Sequence, residues 1–586
     1  MYNDFNNCIE DLYSIIIQPI DAAYKLTALR KYKRLLGVHE NSFFSDKYCS
    51  EIHHEKEKGT VYTPIEISNY MVKNIISDED VIKNPFLKIL DPACGSGNIL
   101  IPCFLFLREV FIKNINQIND MHNLSLSSLD IDAHIVNNNL FGMDMDYLAI
   151  KVLIIDLFSI SLYVNIDNFF HRDFLIDEVE EEFNVFIGNP PYVGHKTVQR
   201  DYSKILKDKY QGIYKDKGDI SYCFFKKSLD VLSSSNIGNK KLSFITSRYF
   251  IESISGSELR KLLNQGFLEK IVDFYGIRPF KRIGIDPVII FMDLNKNIEN
   301  IEVLKPETNK GKTKKEFVNS LLFDKGDRYL RFFIKKSELK DTGWILKNEA
   351  ELSIISKIEN KCTKRLSDIS RSYQGIITGC DKAFVMGKDK CALENIEQDI
   401  VKPWIKSSSI EKNKISDTSK CLIYADLIEC EDKYPNALNH ISKYKDVLLQ
   451  RRECKTGARK WYMLQWGRKQ DIFEKENIIF PYKSSSSRFA KASGVYYSAD
   501  VYSISLNNDA GIDIDKLLRI LNSSLYEFYF KSFAKKLGED QYEYYPNTVM
   551  KMCIPVESDV EFISENELYD YFDLTELEIL IVNHVM

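Results

Sequence analysis

From Gly59 to about Asn295 the chain alternates short apolar runs with longer segments at helical spacing, and no other feature narrows its folding as much. The runs are Phe86 to Leu90, Asn139 to Met143, Val185 to Gly188, Leu242 to Thr246 and Val288 to Met292. Strands separated by helical crossovers predict an α/β unit, a mostly parallel sheet covered by helices.

The remainder is organised around that unit. Residues 1–58 carry apolar positions at helical spacing, Leu12, Ile15, Ile16 and then Leu26, Leu29, Tyr32, Leu35, and predict a helical extension. The passage from Asn295 to Lys340 is rich in Lys, Glu and Asn and contains Gly311-Lys312-Thr313-Lys314-Lys315, which reads as a solvated loop joining two domains. From about Trp344 onward short strands and helices mix without repeats, as in one further α+β domain. The expected division is therefore 1–58, 59–340 and 341–586, in keeping with 586 residues, more than one core usually serves.

Composition excludes several classes. With 44% hydrophobic and 28% charged residues, wholesale disorder is excluded. A net charge of −5 gives no global sign of a nucleic-acid binder, so such a function must rest on local clusters of Lys and Arg. The 12 cysteines form no C-x-x-C pair and no His completes a zinc set, so reduced thiols in a cytosol and no metal are expected. No signal peptide opens the chain. The apolar stretch from Leu148 to Val164 is broken by Lys151 and Asp156, as in a buried helix of a soluble, cytoplasmic protein rather than a membrane span.

Directly after the run Phe183 to Gly188 comes Asn189-Pro190-Pro191-Tyr192. An exocyclic amine on a planar ring is a poor nucleophile because its lone pair is delocalised. Asn189 can accept one N–H through its side-chain oxygen and the Pro190 carbonyl the other, drawing the nitrogen towards a tetrahedral form. Two prolines fix φ and leave their carbonyls outside any local ladder, and Tyr192 offers a face for a base. An Asn-Pro pair also marks an ordinary turn after a strand. Upstream, Lys88-Ile89-Leu90-Asp91-Pro92-Ala93-Cys94-Gly95-Ser96-Gly97-Asn98 runs from a strand through a Gly-rich turn into a helix expected over Ile99 to Val110. Asp144 ends the next strand, where an acid would hold ribose hydroxyls; its distance from the turn suggests an insertion, Asn114 to Asp130. Asp173 and Phe174, after a third strand, suit an adenine amino group and its ring.

These residues in this order resemble the amino-methyltransferases that use S-adenosylmethionine, specifically the DNA adenine-N6 group with a C-terminal specificity domain, related to type IIG enzymes. Gly59-Thr60-Val61-Tyr62-Thr63-Pro64 looks like that group's start motif. Tyr373 to Phe384, Ile520 to Leu525 and Tyr545-Pro546-Asn547 look like its specificity domains, and Arg451 to Lys455 and Trp461 to Arg468 look like the sporulation-linked orphan adenine methyltransferases of clostridia. The resemblance implies a Rossmann-like methyltransferase domain followed by an α+β target recognition domain. It implies cofactor contacts from Thr63, Asp91, Ala93, Gly95, Gly97, Asp144, Met145, Asp173 and Phe174. The catalytic set it implies is Asn189, Pro190, Tyr192 and Phe280, the last sandwiching a flipped base against Tyr192. The implied reaction is methyl transfer to adenine N6 in a short, non-palindromic, A-rich site of the CAAAAA kind.

Between Lys443 and Lys491 cations crowd among aromatics: Arg451, Arg452, Lys455, Arg459, Lys460, Trp461, Arg468, Lys483 and Arg488. Such a run is often a solvated face, but this aromatic density suits phosphate contact with base or sugar packing, so double-stranded DNA is the expected partner of a monomer. Arginines here could reach guanine edges or a narrow minor groove over an A-tract. Fewer than sixty residues precede Gly59 and hold no P-D…E-x-K pattern, so an orphan methyltransferase is expected rather than a fused nuclease. Rival readings are a methyltransferase for release-factor glutamine or RNA, and a specificity subunit on a decayed fold.

Overall fold

A computed structural model describes residues 2–52, 62–194, 198–215, 218–280, 284–306, 314–322, 329–416, 419–538 and 540–584. Gly59, Thr60 and Val61 of the start motif, Lys281 and most of the Gly311 to Lys315 stretch lie outside them. The chain divides into two compact units, Met1–Leu346 and Lys347–Met586.

The first unit is built on nine strands: β1 (Ile89–Asp91), β2 (Leu140–Asp144), β3 (Phe169–His171), β4 (Val185–Gly188), β5 (Lys241–Ser247), β6 (Leu268–Asp273), β7 (Pro287–Asp293), β8 (Asn300–Pro306) and β9 (Tyr329–Lys335). Their order in the sheet is β3-β2-β1-β4-β5-β7-β6-β8-β9. Strands β3 to β5 along this order pair in parallel, and β7 runs antiparallel between β5 and β6. The expected strands are present, with ends moved by a few residues. β1 lies between β2 and β4, with Leu90 opposite Phe141 and Phe186. The chain therefore leaves β1 towards one side of the sheet and returns on the other, opening a crevice beyond the strand ends where α/β folds bind ligands.

Among the described residues eight helices precede β3: α1 (Tyr2–Ile16), α2 (Ala22–Leu36), α3 (Phe44–Ile52), α4 (Ile65–Ile75), α5 (Asp78–Lys83), α6 (Leu100–His122), α7 (Ile131–Asn138) and α8 (Tyr147–Ser161). Of the stretch expected as an insertion, Asn114 to Asp130, the part up to His122 belongs to α6 and the rest joins it to α7. α6 continues through a kink at Asn114 (φ −119°, ψ 16°), because Ile118 keeps its apolar face in the core, and α7 follows. α8 is buried nearly throughout, as its sequence suggested, and no helix among the described residues is long and apolar enough to cross a membrane.

A second correction concerns Asn295 to Lys340, expected as a connecting loop. β8 and β9 add two strands to the main sheet, with Ile301 opposite Ile334 and Val303 opposite Phe332. The charges that suggested solvent are cross-strand pairs: Glu302 meets Lys270 at 3.0 Å and Arg331 at 3.2 Å. The second unit holds an antiparallel sheet in the order Ser370–Gln374, Val501–Leu506, Asn477–Pro481, Ala490–Ala492. A second sheet of four short strands shares its core, and helices Ile514–Leu521 and Ser524–Phe533 follow.

Candidate active site and nucleic-acid interface

The ends of β1, β2 and β4 and the turn after β3 converge on a cavity of about 640 Å³. Thr63, Asp91, Ala93, Gly95, Asp144, Met145, Asp173, Phe174 and Asn189 all reach its wall. Gly95 and Gly97 adopt left-handed φ of 49° and 92°, and a Cβ at Gly97 would meet Leu153 Cδ1 at 2.3 Å, so the turn needs glycine on both counts. Asp144 accepts N–H groups from Gly95 and Asp146, each at 2.8 Å, which ties the end of β2 to the Gly turn. Asp91 accepts the Ala93 N–H at 3.0 Å. Burial pushes the Asp91 carboxyl up to about 8 and also raises that of Asp144, so both protonate more readily than surface acids. Met145 is 63% exposed at the rim. Phe174 is buried and stacks on Phe224 (5.4 Å between centroids), while Asp173 accepts the Leu175 N–H at 2.9 Å.

Asn189 stands one residue past β4. Its amide nitrogen donates to Thr63 Oγ1 at 3.0 Å, which sets the direction of the side-chain carbonyl. Pro190 is buried and Pro191 lines the cavity. Tyr192 is buried and its hydroxyl donates to the Ile245 carbonyl at 3.2 Å. Phe280 does lie beside it, at 6.1 Å between centroids but tilted by 53°. A base held between parallel rings needs roughly 7 Å, twice the stacking step of DNA. Without a base between them, the two rings stand closer than that.

In the second unit the expected DNA-contacting residues separate by role. Arg451 is 9% exposed, and its guanidinium donates to the carbonyls of Leu448 (3.1 Å), Thr378 (3.2 Å), Trp461 (2.8 Å) and Met463 (2.9 Å). It fastens the surrounding loop, which corrects its expected role as a base reader. Arg488 donates to Ser484 Oγ and the Ile410 carbonyl, and Arg459 pairs with Asp426 at 2.7 Å. Arg452, Lys455, Lys460 and Lys483 are exposed. Trp461 is half-buried beneath Lys445 (4.9 Å), whereas Trp466 is 45% exposed on the wall of a second cavity of about 580 Å³. Arg468, held at a left-handed φ of 67° with Nη2 on Gln374 Oε1 at 2.9 Å, lines the same wall with Tyr373 and Gln374. Gln374, Tyr202 and Tyr48 were not foreseen as wall residues, since no spacing in the chain points to them.

Residues 138–280 match the Eco57I restriction-modification methylase family, residues 82–175 the MmeI DNA-methyltransferase domain, and residues 405–556 the TaqI-like C-terminal specificity domain. The type II methyltransferase M.BstVI of Geobacillus stearothermophilus is 22% identical over 533 residues, 86% of this chain and 91% of its own length. M.HindII of Haemophilus influenzae is 25% identical over 501 residues, 79% and 83% of the two chains. The type IIL restriction-modification enzyme MmeI, solved in complex with DNA, shares the fold with a TM-score of 0.54 at 14% identity, over 92% of this chain and 70% of that one. With a methylase match that takes in the strand-end cavity and a specificity-domain match in the second unit, the chain is similar in both units to type II DNA methyltransferases.

Proposed function

We propose that the chain transfers a methyl group from S-adenosylmethionine to N6 of an adenine flipped out of double-stranded DNA, acting as a monomer without nuclease activity of its own. The observation that carries this reading is Asn189, whose amide is anchored on Thr63 so that it faces the cavity shared by Asp144 and Phe174. The walls suit the cofactor: a turn with Gly95 at a left-handed φ, acids at two strand ends and an aromatic floor. Thr63 and Asp91 would hold its methionine part, Asp144 with Met145 its ribose, and Asp173 with Phe174 its adenine. When bound, it supplies an electrophilic methyl group.

The protein's part is to pull the target amine towards tetrahedral geometry with the Asn189 and Pro190 carbonyls, and to keep water away within a mostly apolar cavity. Stacking an extruded base on Tyr192 requires Phe280 to swing aside. Cations exposed in the second unit would contact phosphates, and Arg468 beside Gln374 a base edge. By resemblance the site is short, non-palindromic and A-rich, of the CAAAAA kind, and the mark is that of an orphan enzyme. Absence of nuclease activity is supported by the relatives named as methyltransferases that match over nearly their whole length.

Tritiated methyl transfer tests the reading with duplex DNA, a release factor and RNA as acceptors, followed by long-read mapping of modified adenines. Label in DNA alone, at N6 of one short site, is expected; label in the release factor or RNA would replace it.

A further inference from the structure

The cofactor cavity has one wall that no motif announces. Tyr48 of α3, only 1% exposed, reaches it, and its hydroxyl donates to Asp146 Oδ2 at 2.8 Å. The other oxygen of Asp146 caps α8 through the N–H groups of Leu148 (3.0 Å) and Ala149 (3.3 Å). Its backbone N–H donates to Asp144 Oδ1, and Asp144 Oδ2 takes the Gly95 N–H, each at 2.8 Å. One chain of hydrogen bonds thus runs from an N-terminal helix through two acids into the glycine turn.

The same N-terminal segment grips α8 at two further points. Asp156, wholly buried, accepts the N–H groups of Phe44 and Ser45 at the start of α3, each at 2.8 Å. Lys151, buried under the ring of Tyr147 at 4.0 Å, pairs with Glu10 of α1. These two contacts seat the segment on α8, and the Tyr48 hydroxyl carries that seat to Asp146, the N-cap of α8, at the cavity.

We infer that the N-terminal helices are part of the cofactor site, with Tyr48 as the positioning residue that holds Asp146 and, through it, the face Asp144 turns to the cavity. The inference rests on the S-adenosylmethionine reading above. Tyr48 also packs against Phe5 and Tyr62, at 6.3 Å from each ring centroid, so Tyr48→Phe keeps the packing and removes only the hydroxyl.

Calorimetric titration of S-adenosylmethionine and S-adenosylhomocysteine into the full chain, without DNA, tests it. Tyr48→Phe should weaken both about ten-fold, as loss of a hydrogen bond to a charged acceptor does. In turnover assays KM for the cofactor should rise while kcat at saturation and DNA affinity stay within about two-fold. Asp146→Asn should weaken binding comparably, and the double variant no further. Glu10→Gln, which loosens the segment away from the cavity, should lower the melting temperature and leave cofactor affinity unchanged. Equal binding by wild type and Tyr48→Phe would overturn the inference alone, as would parallel losses in Tyr48→Phe and Glu10→Gln. A wild-type chain that bound neither compound would overturn the cofactor reading and the inference with it.

Discussion

The cavity in Met1–Leu346 and the basic segment in Lys347–Met586 use polar side chains in opposite ways. Around the cavity, acids accept N–H groups from the turns beside them: Asp91 from Ala93, Asp144 from Gly95 and Asp146. These bonds orient the acids at strand ends while leaving them on the wall. In the basic segment, cations donate to carbonyls and acids of their own fold: Arg451 to four carbonyls, Arg488 to Ile410, Arg459 to Asp426. The difference teaches that a strand end presents its residue because the sheet already satisfies the backbone. An irregular loop must recruit side chains to satisfy its own carbonyls, so a tally of cations overstates the surface left for DNA.

The largest effect expected is at the cavity. Asn189→Ala should lower kcat at least a hundred-fold, about 2.7 kcal/mol of barrier, with DNA affinity changed only a few-fold; a tenth of wild-type kcat retained in single-turnover assays would remove its role. Next, Arg451→Ala should destabilise the protein by about 3 kcal/mol, since buried carbonyls lose a charged donor. Its DNA binding should weaken equally for all sequences, with an unchanged salt slope. Denaturation alongside binding isotherms checks this, and a stable variant with a sequence-dependent loss would erase the contrast between the two regions.

A smaller effect separates readers from phosphate contacts. Arg468→Ala should cost ~1–3 kcal/mol at the cognate site and little elsewhere. Lys455→Ala or Lys483→Ala should weaken all duplexes alike and lower the salt slope by about one unit. Isotherms on cognate and scrambled duplexes at several salt concentrations distinguish the patterns; unchanged isotherms for all three would make the segment a solvated face.

A separate signal is a pH trend. Burial raises the Asp91 carboxyl from 3.8 to about 8, so the folded chain holds a proton there that the unfolded chain has lost. Its contribution to stability is full below about 4, falls as pH rises towards 8 and is level beyond. Wild type minus Asp91→Asn, followed by denaturation from pH 4 to 9, should show that decline; a rise would place an ionised carboxylate in the cavity.

Much of the first unit was legible because its signals are local. Five apolar runs became strands, and the glycine turn, Asp144 and Asn189 follow strand ends whose position the register dictates. The extra strands β8 and β9 were illegible because their charged residues satisfy one another across the ladder, leaving a composition that resembles solvent-facing loop. α6 beyond Asn114 was missed because a kink interrupts the helical pattern at a polar residue while the buried face continues.

By itself, the order of residues along the chain determined the alternating α/β plan, the glycine turn and the place of Asn-Pro-Pro-Tyr, since each depends on neighbours within a few positions. Only the tertiary structure decided that Tyr48 reaches Asp146 across 98 positions, that Asn189 is anchored on Thr63 across 126, and that Arg451 faces inward. Such contacts are chosen by which buried donors and acceptors remain to be satisfied once the strands and helices have packed, and that condition exists only in the folded chain.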